Sequence, residues 1–316
     1  MSRIAVIGAG AWGTALAIQA VRAGHAVSLW ARDPAPLHTA RCSPHLPGHT
    51  LPDLVTPTAT LPGADHNAFI LAVPVQHMRT VLHGWRPSAP VVLCAKGIEA
   101  GTGLLPMEVL HALHPGLPAT VLTGPTFAHE VAAGLPAAAV VAGRDAALRD
   151  DMIALFATPR FRLYGNDDPV GAQLGGAAKN VMAIAAGAVV GAGLGENARA
   201  ALVTRGLAEL ARLVQACGGR ADTAMGLSGL GDLLLTCTGA SSRNFSLGLA
   251  LGRGEALDSI LAQRTSVTEG VATAPALLLR AVGIELPVCA AVVDLLAGAR
   301  LDRVIAALLA RPLRDE

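Results

Sequence analysis

The sequence predicts an α/β region with a parallel-sheet core over residues 1–165, followed by an all-helical region over residues 166–316. Three observations predict this. Short, wholly apolar runs recur through the first half, beginning with Ile4-Ala5-Val6-Ile7, each of the length and character of a strand buried on both faces. Helix-length segments lie between several of them, the alternation that builds a parallel sheet. Beyond Gly165-Asn166-Asp167-Asp168-Pro169 the apolar runs lengthen to helical size, and no convincing strand follows.

The first run leads at once into Gly8-Ala9-Gly10-Ala11-Trp12-Gly13, a G-x-G-x-x-G. The segment from Thr14 to Arg22 reads as a helix stopped by Gly24, and Val27-Ser28-Leu29-Trp30 as a second strand. Strand, glycine turn, helix and strand in this length form a βαβ unit. Each glycine has a task there. Gly8 makes the tight turn, Gly10 lets the backbone approach a pyrophosphate, and Gly13 lets the helix pack on the strand. Helix N-terminal N–H groups then face the phosphates. The α/β region is therefore expected to be a Rossmann-type NAD(P)-binding domain.

After the second strand a site selective for NAD carries an acidic residue. Here Ala31 and Arg32 stand in that place. Arg32 suits a 2′-phosphate, so NADPH is expected to be accepted, alongside NADH. Asp33 with Pro34 reads as a helix N-cap followed by proline at the first helical position.

Residues 42–61, rich in Pro, His and Thr, read as an irregular connection. A strand is expected at residues 68–73, a short helix at 75–82, and a strand at 91–95 with Lys96 and Gly97 at its carboxyl end. Ligands of open α/β sheets bind at that edge. A strand over 120–123 ends at Gly124, where a glycine again implies close backbone approach. Strands are expected at 137–142 and 161–164, with a helix between them over 145–156. Asp168 and Pro169 read as the cap and opening of a long helix. A further helix spans about 196–217, residues 236–244 read as a polar loop opening a helix, and closing helices lie at 274–282 and 288–296. The last residues, 311–316, are expected to fray.

The stretch from 170 to 194 is apolar enough to suggest a membrane span, but Gln173, Lys179 and Asn180 lie within it. A charge at bilayer depth costs several kcal/mol. A buried helix is the better reading, and no stable membrane insertion is expected. The net charge of +1, without a basic run, offers nothing to nucleic acid. The five cysteines are scattered without a C-x-x-C, and the N-terminus has no signal-peptide layout. Reduced thiols in a cytoplasm are expected.

Lys96 and Lys179 are the only lysines; the other 22 cationic side chains are Arg. Arg stays protonated in proteins, whereas a buried Lys can exchange a proton. Lys179, inside Gln173-Leu174-Gly175-Gly176-Ala177-Ala178-Lys179-Asn180, is therefore the candidate for proton chemistry, against the alternative of a lysine reaching out to water. Gly175 and Gly176 offer small surfaces on or beside the same helix face, where a nicotinamide or substrate can approach. Asp232 either holds the Lys179 ammonium or caps a helix. Ser242-Arg243-Asn244 reads as a phosphate clamp, a guanidinium fork with a hydroxyl and an amide beside it, or as a surface Arg after a polar loop. The pairs His45 with His49 and His111 with His114 lack acidic partners, and no metal site is expected.

Taken in order, the motifs resemble those of the bacterial NAD(P)-dependent glycerol-3-phosphate dehydrogenases along nearly the whole chain. They are the glycine turn, His45-Leu46-Pro47-Gly48, Ala95-Lys96-Gly97-Ile98-Glu99, Thr123-Gly124-Pro125-Thr126-Phe127-Ala128 and the Lys179 stretch. Gly195-Glu196-Asn197-Ala198-Arg199, Gly229-Leu230-Gly231-Asp232-Leu233, Ser242-Arg243-Asn244 and Val267-Thr268-Glu269-Gly270 complete the set. The resemblance implies reversible reduction of dihydroxyacetone phosphate to sn-glycerol 3-phosphate with NAD(P)H, feeding phospholipid synthesis. It implies that Lys179 is the general acid/base. Lys96, Gly124, Thr126, Lys179, Asp232, Ser242, Arg243 and Asn244 would bind substrate. Ala11, Trp12, Arg32, Lys96, Ala128, Arg243, Val267 and Glu269 would join Gly8, Gly10 and Gly13 around the cofactor. Ala11 and Ala95 depart from the Ser and Thr frequent in the family. At Ala11 the backbone N–H can bind phosphate in place of the missing hydroxyl. A homodimer acting on a small phosphorylated molecule is expected. Two other readings stay open: a β-hydroxyacid dehydrogenase, which has no need of the phosphate clamp, and a non-catalytic NAD(P)-sensing module, which has no need of the lysines.

Overall fold

In a computed structural model of the chain, the structure describes residues 1–239, 241–264 and 267–311. Of the end expected to fray, residues 312–316 lie outside these. The chain packs as two compact units, one of residues 1–96 with 104–173, the other of 97–103 with 174–316.

The first unit is built on β1 (Arg3–Ile7), α1 (Ala11–Arg22), β2 (Ala26–Trp30), α2 (Ala35–Ala40), β3 (Cys42–Ser43), β4 (Leu46–Thr50) and β5 (Val55–Thr58). It continues with β6 (Ala68–Leu71), α3 (Val75–His83), β7 (Val91–Leu93), α4 (Pro106–Leu113), β8 (Ala119–Thr123), α5 (Ala128–Ala133), β9 (Ala137–Ala142), α6 (Ala146–Phe156) and β10 (Phe161–Asn166). Eight strands form one sheet in the order β10-β9-β8-β7-β6-β1-β2-β5. β1, β6 and β7 are buried along almost their whole length, which is why their sequences do not alternate. Helices cover the sheet, and Ile4, Val6, Leu16, Ile18, Leu29 and Ile70 share one core.

The core of the sheet is parallel, as expected, apart from one step: β8 and β9 run antiparallel, with Thr123 opposite Val140. β9 thus starts beside the end of β8, and the six-residue α5 joins two strand ends at one edge. Residues 42–61 are not irregular. They hold the antiparallel pair β3–β4 and the edge strand β5, parallel to β2. Pro57 conceals β5 in the sequence, yet an edge strand tolerates proline. Finally, Pro34 rather than Asp33 occupies the N-cap of α2, and Asp33 Oδ1 accepts from Ala35 N at 3.0 Å.

α7 (Pro169–Gly191) begins in the first unit, where Asp168 Oδ1 accepts from Gly171 N at 2.8 Å, and continues into the second. The second unit adds α8 (Gly195–Ala216), α9 (Ala221–Met225), a π-helical turn (Leu227–Gly231) and α10 (Asp232–Cys237). α11 (Arg243–Gly252), α12 (Leu257–Ala262), α13 (Glu269–Arg280), α14 (Pro287–Leu296) and α15 (Leu301–Leu309) follow. No strand occurs among its described residues.

α7 and α11 pack backbone to backbone. A Cβ on Gly187 would lie 2.1 Å from Phe245 O, and one on Gly248 only 1.9 Å from Ile184 O; Gly191 and Gly252 repeat the pattern one turn on. Glycine thereby substitutes for the large side chains the chain lacks. Among the described residues α7 is the one helix long and apolar enough to cross a membrane, and most of it is buried within the fold.

Candidate active site

In the first unit the candidate residues sit at the carboxyl ends of parallel strands. Gly8 follows β1 with φ 110°, a conformation that favours glycine. A Cβ on Gly13 would lie 1.8 Å from Gly8 O, whereas one on Gly10 would meet nothing within 4 Å. Gly13 is therefore needed by the fold, and Gly10 leaves its face open. Gly10 is also the N-cap of α1, with no capping side chain and no acidic residue in the first turn. These features fit a dinucleotide, whose pyrophosphate would lie over Gly10 against the N–H groups of Ala11 and Trp12. Arg32, exposed after β2, stands where the ribose would be read. Ser43 Oγ, from the β3–β4 pair, and Thr14 Oγ1 both donate to Ala9 O, at 3.2 and 3.3 Å, and so hold the turn.

Lys96 follows β7, and its Nζ donates to Gly124 O at 2.8 Å. Gly124 follows the neighbouring β8 with φ 138°, and Thr126 Oγ1 donates to the same carbonyl at 3.2 Å. Ala128 opens α5 next to them. Cys94 lies beside Lys96 and Trp12. Burial pushes its thiol up to about 12, with the Lys96 charge acting the other way.

The second unit holds a buried ion pair. Lys179 is 9% exposed and Asp232 is fully buried. Lys179 Nζ donates to Asp232 Oδ1 at 2.7 Å and to Thr236 Oγ1 at 3.1 Å. Thr236 Oγ1 donates in turn to Asp232 O at 2.6 Å. The π-helical turn delivers Asp232 to this place; such turns inside α-helices are frequent at functional sites. Gly175 lets it come close, since a Cβ there would lie 2.3 Å from Ser228 O. The smallness of Gly175 thus serves the packing against the π turn rather than the approach of a ligand, a correction to the sequence reading. Cys237, beside the pair, is pushed up to about 12 mainly by burial.

A second network lies alongside. Asn180 Oδ1 accepts from Asn244 Nδ2 at 2.8 Å, and Asn244 Oδ1 accepts from Gly270 N at 3.0 Å. Asn180 Nδ2 donates to Glu269 Oε2 at 3.4 Å. Ser242 caps α11, its Oγ accepting from Phe245 N at 3.2 Å. Of the three residues read as a clamp, Ser242 and Asn244 are buried and turned to the fold. Arg243 alone is exposed, and among the described residues its guanidinium has no partner. Val267 is exposed just before Thr268 and Glu269.

Two family descriptions match this chain: NAD-dependent glycerol-3-phosphate dehydrogenase N-terminus over residues 3–149, and NAD-dependent glycerol-3-phosphate dehydrogenase C-terminus over residues 168–305. The chain belongs to the NAD-dependent glycerol-3-phosphate dehydrogenase family. It is 57% identical to the glycerol-3-phosphate dehydrogenase (NAD(P)+) of Acidiphilium cryptum, over 99% of this chain and 98% of that one. It is 53% identical to that of Gluconobacter oxydans, over 87% and 86%. The crystal structure of glycerol-3-phosphate dehydrogenase from Coxiella burnetii superposes with a TM-score of 0.92 at 34% identity, covering 98% of this chain and 99% of that one.

Within this family frame the structure brings Lys179, Asp232 and Thr236 together, and separately Lys96, Gly124 and Thr126. Thr236 was missed by sequence reasoning, which placed it in a polar loop. It lies in α10, one turn after Asp232, and that i to i+4 spacing from an acidic residue was the available signal.

Proposed function

We propose that the chain reduces dihydroxyacetone phosphate to sn-glycerol 3-phosphate with NADH or NADPH, reversibly, and so supplies glycerophospholipid synthesis. The observation that carries this reading is the buried Lys179–Asp232–Thr236 constellation in a chain of this family. Carbonyl reduction needs a hydride at carbon and a proton at oxygen. A bound reduced nicotinamide supplies the hydride. Lys179 Nζ gives its proton to the oxygen as the alkoxide forms, and takes one back in the oxidative direction. Asp232 and Thr236 fix the direction of Nζ, because each holds it by a hydrogen bond.

The exposed Arg243 guanidinium takes the substrate phosphate, as a planar fork suited to two phosphate oxygens. Lys96, with Gly124 and Thr126 beside it, adds a cation for the substrate or cofactor. The glycine turn, Ala11, Trp12, Ala128, Val267 and Glu269 hold the cofactor, and Arg32 accepts a 2′-phosphate without requiring one. Ser242 and Asn244 support Arg243 from beneath. Residues 1–165 serve as the NAD(P)-binding domain and residues 166–316 as the catalytic domain. The chain works as a cytoplasmic homodimer, without membrane insertion. The five free cysteines and the burial of α7 support that setting.

The test is the fall in reduced-nicotinamide absorbance on adding dihydroxyacetone phosphate, with each cofactor in turn. Oxidation is expected with both. Silence with dihydroxyacetone phosphate but turnover of a 3-oxo acid would replace this reading by that of a β-hydroxyacid dehydrogenase. Light scattering should give twice the mass of the 32.0 kDa chain.

A further inference from the structure

Two arginines meet at the N-terminus of α11, and they are used differently. Arg243 is the first residue of that ten-residue helix, and its guanidinium is exposed. Arg264, just after α12, is partly buried and hydrogen-bonded through both of its Nη groups. Its Nη1 donates to Arg243 O at 2.7 Å and to Thr268 Oγ1 at 3.4 Å, and its Nη2 donates to Ser246 Oγ at 3.0 Å. Ser246 Oγ itself donates to Arg243 O at 3.0 Å. Thr268 is the N-cap of α13, which Glu269 opens. One planar fork therefore ties the first turn of α11 to the start of α13, with Arg243 at the tie point.

We infer that Arg264 is a positioning residue for phosphate recognition: it holds the backbone of Arg243 so that the Arg243 guanidinium is presented to the substrate phosphate. This rests on the reading of Arg243 as the phosphate-binding group. Three physical points carry it. The interaction is a charge-assisted bond to the peptide oxygen of Arg243, which restrains the base of the side chain rather than its tip. The geometry needs a fork with several fixed donors, which lysine lacks. Both guanidiniums, together with the positive end of α11, concentrate charge of one sign, and the repulsion between them is relieved when a phosphate dianion binds. The Arg243 charge and burial both disfavour the protonated form of Arg264, with burial the larger effect.

The test compares dihydroxyacetone phosphate with dihydroxyacetone, which lacks the phosphate, in Arg264→Ala, Arg264→Lys, Arg243→Ala and the Arg243→Ala/Arg264→Ala double variant. Arg264→Ala should raise KM for dihydroxyacetone phosphate about tenfold with kcat changed less than about threefold, the signature of weakened binding rather than impaired chemistry. Its kcat/KM for dihydroxyacetone should stay within about twofold of wild type, because no phosphate is present to be misread. In the Arg243→Ala background the Arg264 substitution should add less than about twofold, since residues acting through one another are not additive. Arg264→Lys should fall between, keeping the charge without the fork. If the Ala variant fails to fold on thermal melting, the Lys variant carries the same comparison.

An unchanged KM in the Arg264 variants would overturn the inference. So would a parallel decline on both substrates, or a fully additive double variant. An unchanged KM in Arg243→Ala alone would overturn the reading of Arg243 beneath it, and this inference with it.

Discussion

Lys96 and Lys179 are the two lysines of the chain, and their surroundings differ in kind. Lys96 is half-buried at the carboxyl end of a strand, and its Nζ donates to a neutral carbonyl, Gly124 O. Lys179 is buried on a long helix and donates to a carboxylate and a hydroxyl. A cation beside a carbonyl on a partly open edge is placed to receive an anion. A cation locked to a buried carboxylate is placed for a directional proton, because its orientation is fixed and water is largely excluded. On the function proposed above, one residue type serves two tasks, in two different surroundings.

The sharpest way to break this comparison is Lys179→Arg, which keeps the charge but replaces an ammonium able to give up a proton with a guanidinium that stays protonated. A kcat decrease on the order of 10²- to 10⁴-fold is expected, the range of general acid–base catalysis, with the cofactor Kd little changed. Wild-type turnover would remove Lys179 from the chemistry. Asp232→Asn leaves the ammonium without its buried counter-charge; this costs about 3–5 kcal/mol, read as a lower denaturant midpoint. A midpoint equal to wild type would show that Asp232 does not hold the lysine. Lys96→Ala, by contrast, should raise substrate and cofactor KM while changing stability by less than about 1 kcal/mol, as substitutions outside a buried network do.

The glycine turn gives a matched pair. Gly13→Ala must displace Gly8 O and should destabilise the fold by about 1–3 kcal/mol, as other overpacked positions do. Gly10→Ala should leave the melting temperature unchanged and weaken cofactor binding. A drop in melting temperature for Gly10→Ala would contradict the open face assigned to it.

The smallest effect expected is at Glu209, whose carboxylate caps α14 by accepting from Val288 N at 2.6 Å and Cys289 N at 3.3 Å. Burial raises its pKa above the ordinary 4.5, with the two N–H bonds and the Arg212 charge pulling the other way. A raised carboxyl favours folding most below pH 4.5, and that advantage is lost as pH rises through the folded pKa. Urea titrations across this window should therefore show wild type losing stability relative to Glu209→Gln as pH increases. A difference independent of pH would mean that the carboxyl does not titrate differently on folding.

Much of the fold was legible because its signals are local. Buried parallel strands announce themselves as apolar runs, and the glycine turn binds its three glycines to one geometry. β5 was not legible, because Pro57 argues against a strand unless the strand is known to lie at an edge. The antiparallel step at β9 was not legible either, since a buried strand reads the same in both directions. Within the candidate site, Asp232 was open between two roles, and Thr236 was taken for loop. Nothing in a sequence says that residues 53 and 57 positions beyond Lys179 end within hydrogen-bond distance of it.

The order of residues alone set the class of each half, the place of the glycine turn, the two exceptional lysines and the family that the ordered motifs resemble. The tertiary structure decided which polar groups are spent on one another. It turned Ser242 and Asn244 inward, left the Arg243 guanidinium exposed, and set Arg264 to hold the Arg243 backbone. The reason is physical. Residue identity states what a side chain can donate or accept, but burial and partners, set by packing between distant segments, decide which of those bonds it makes.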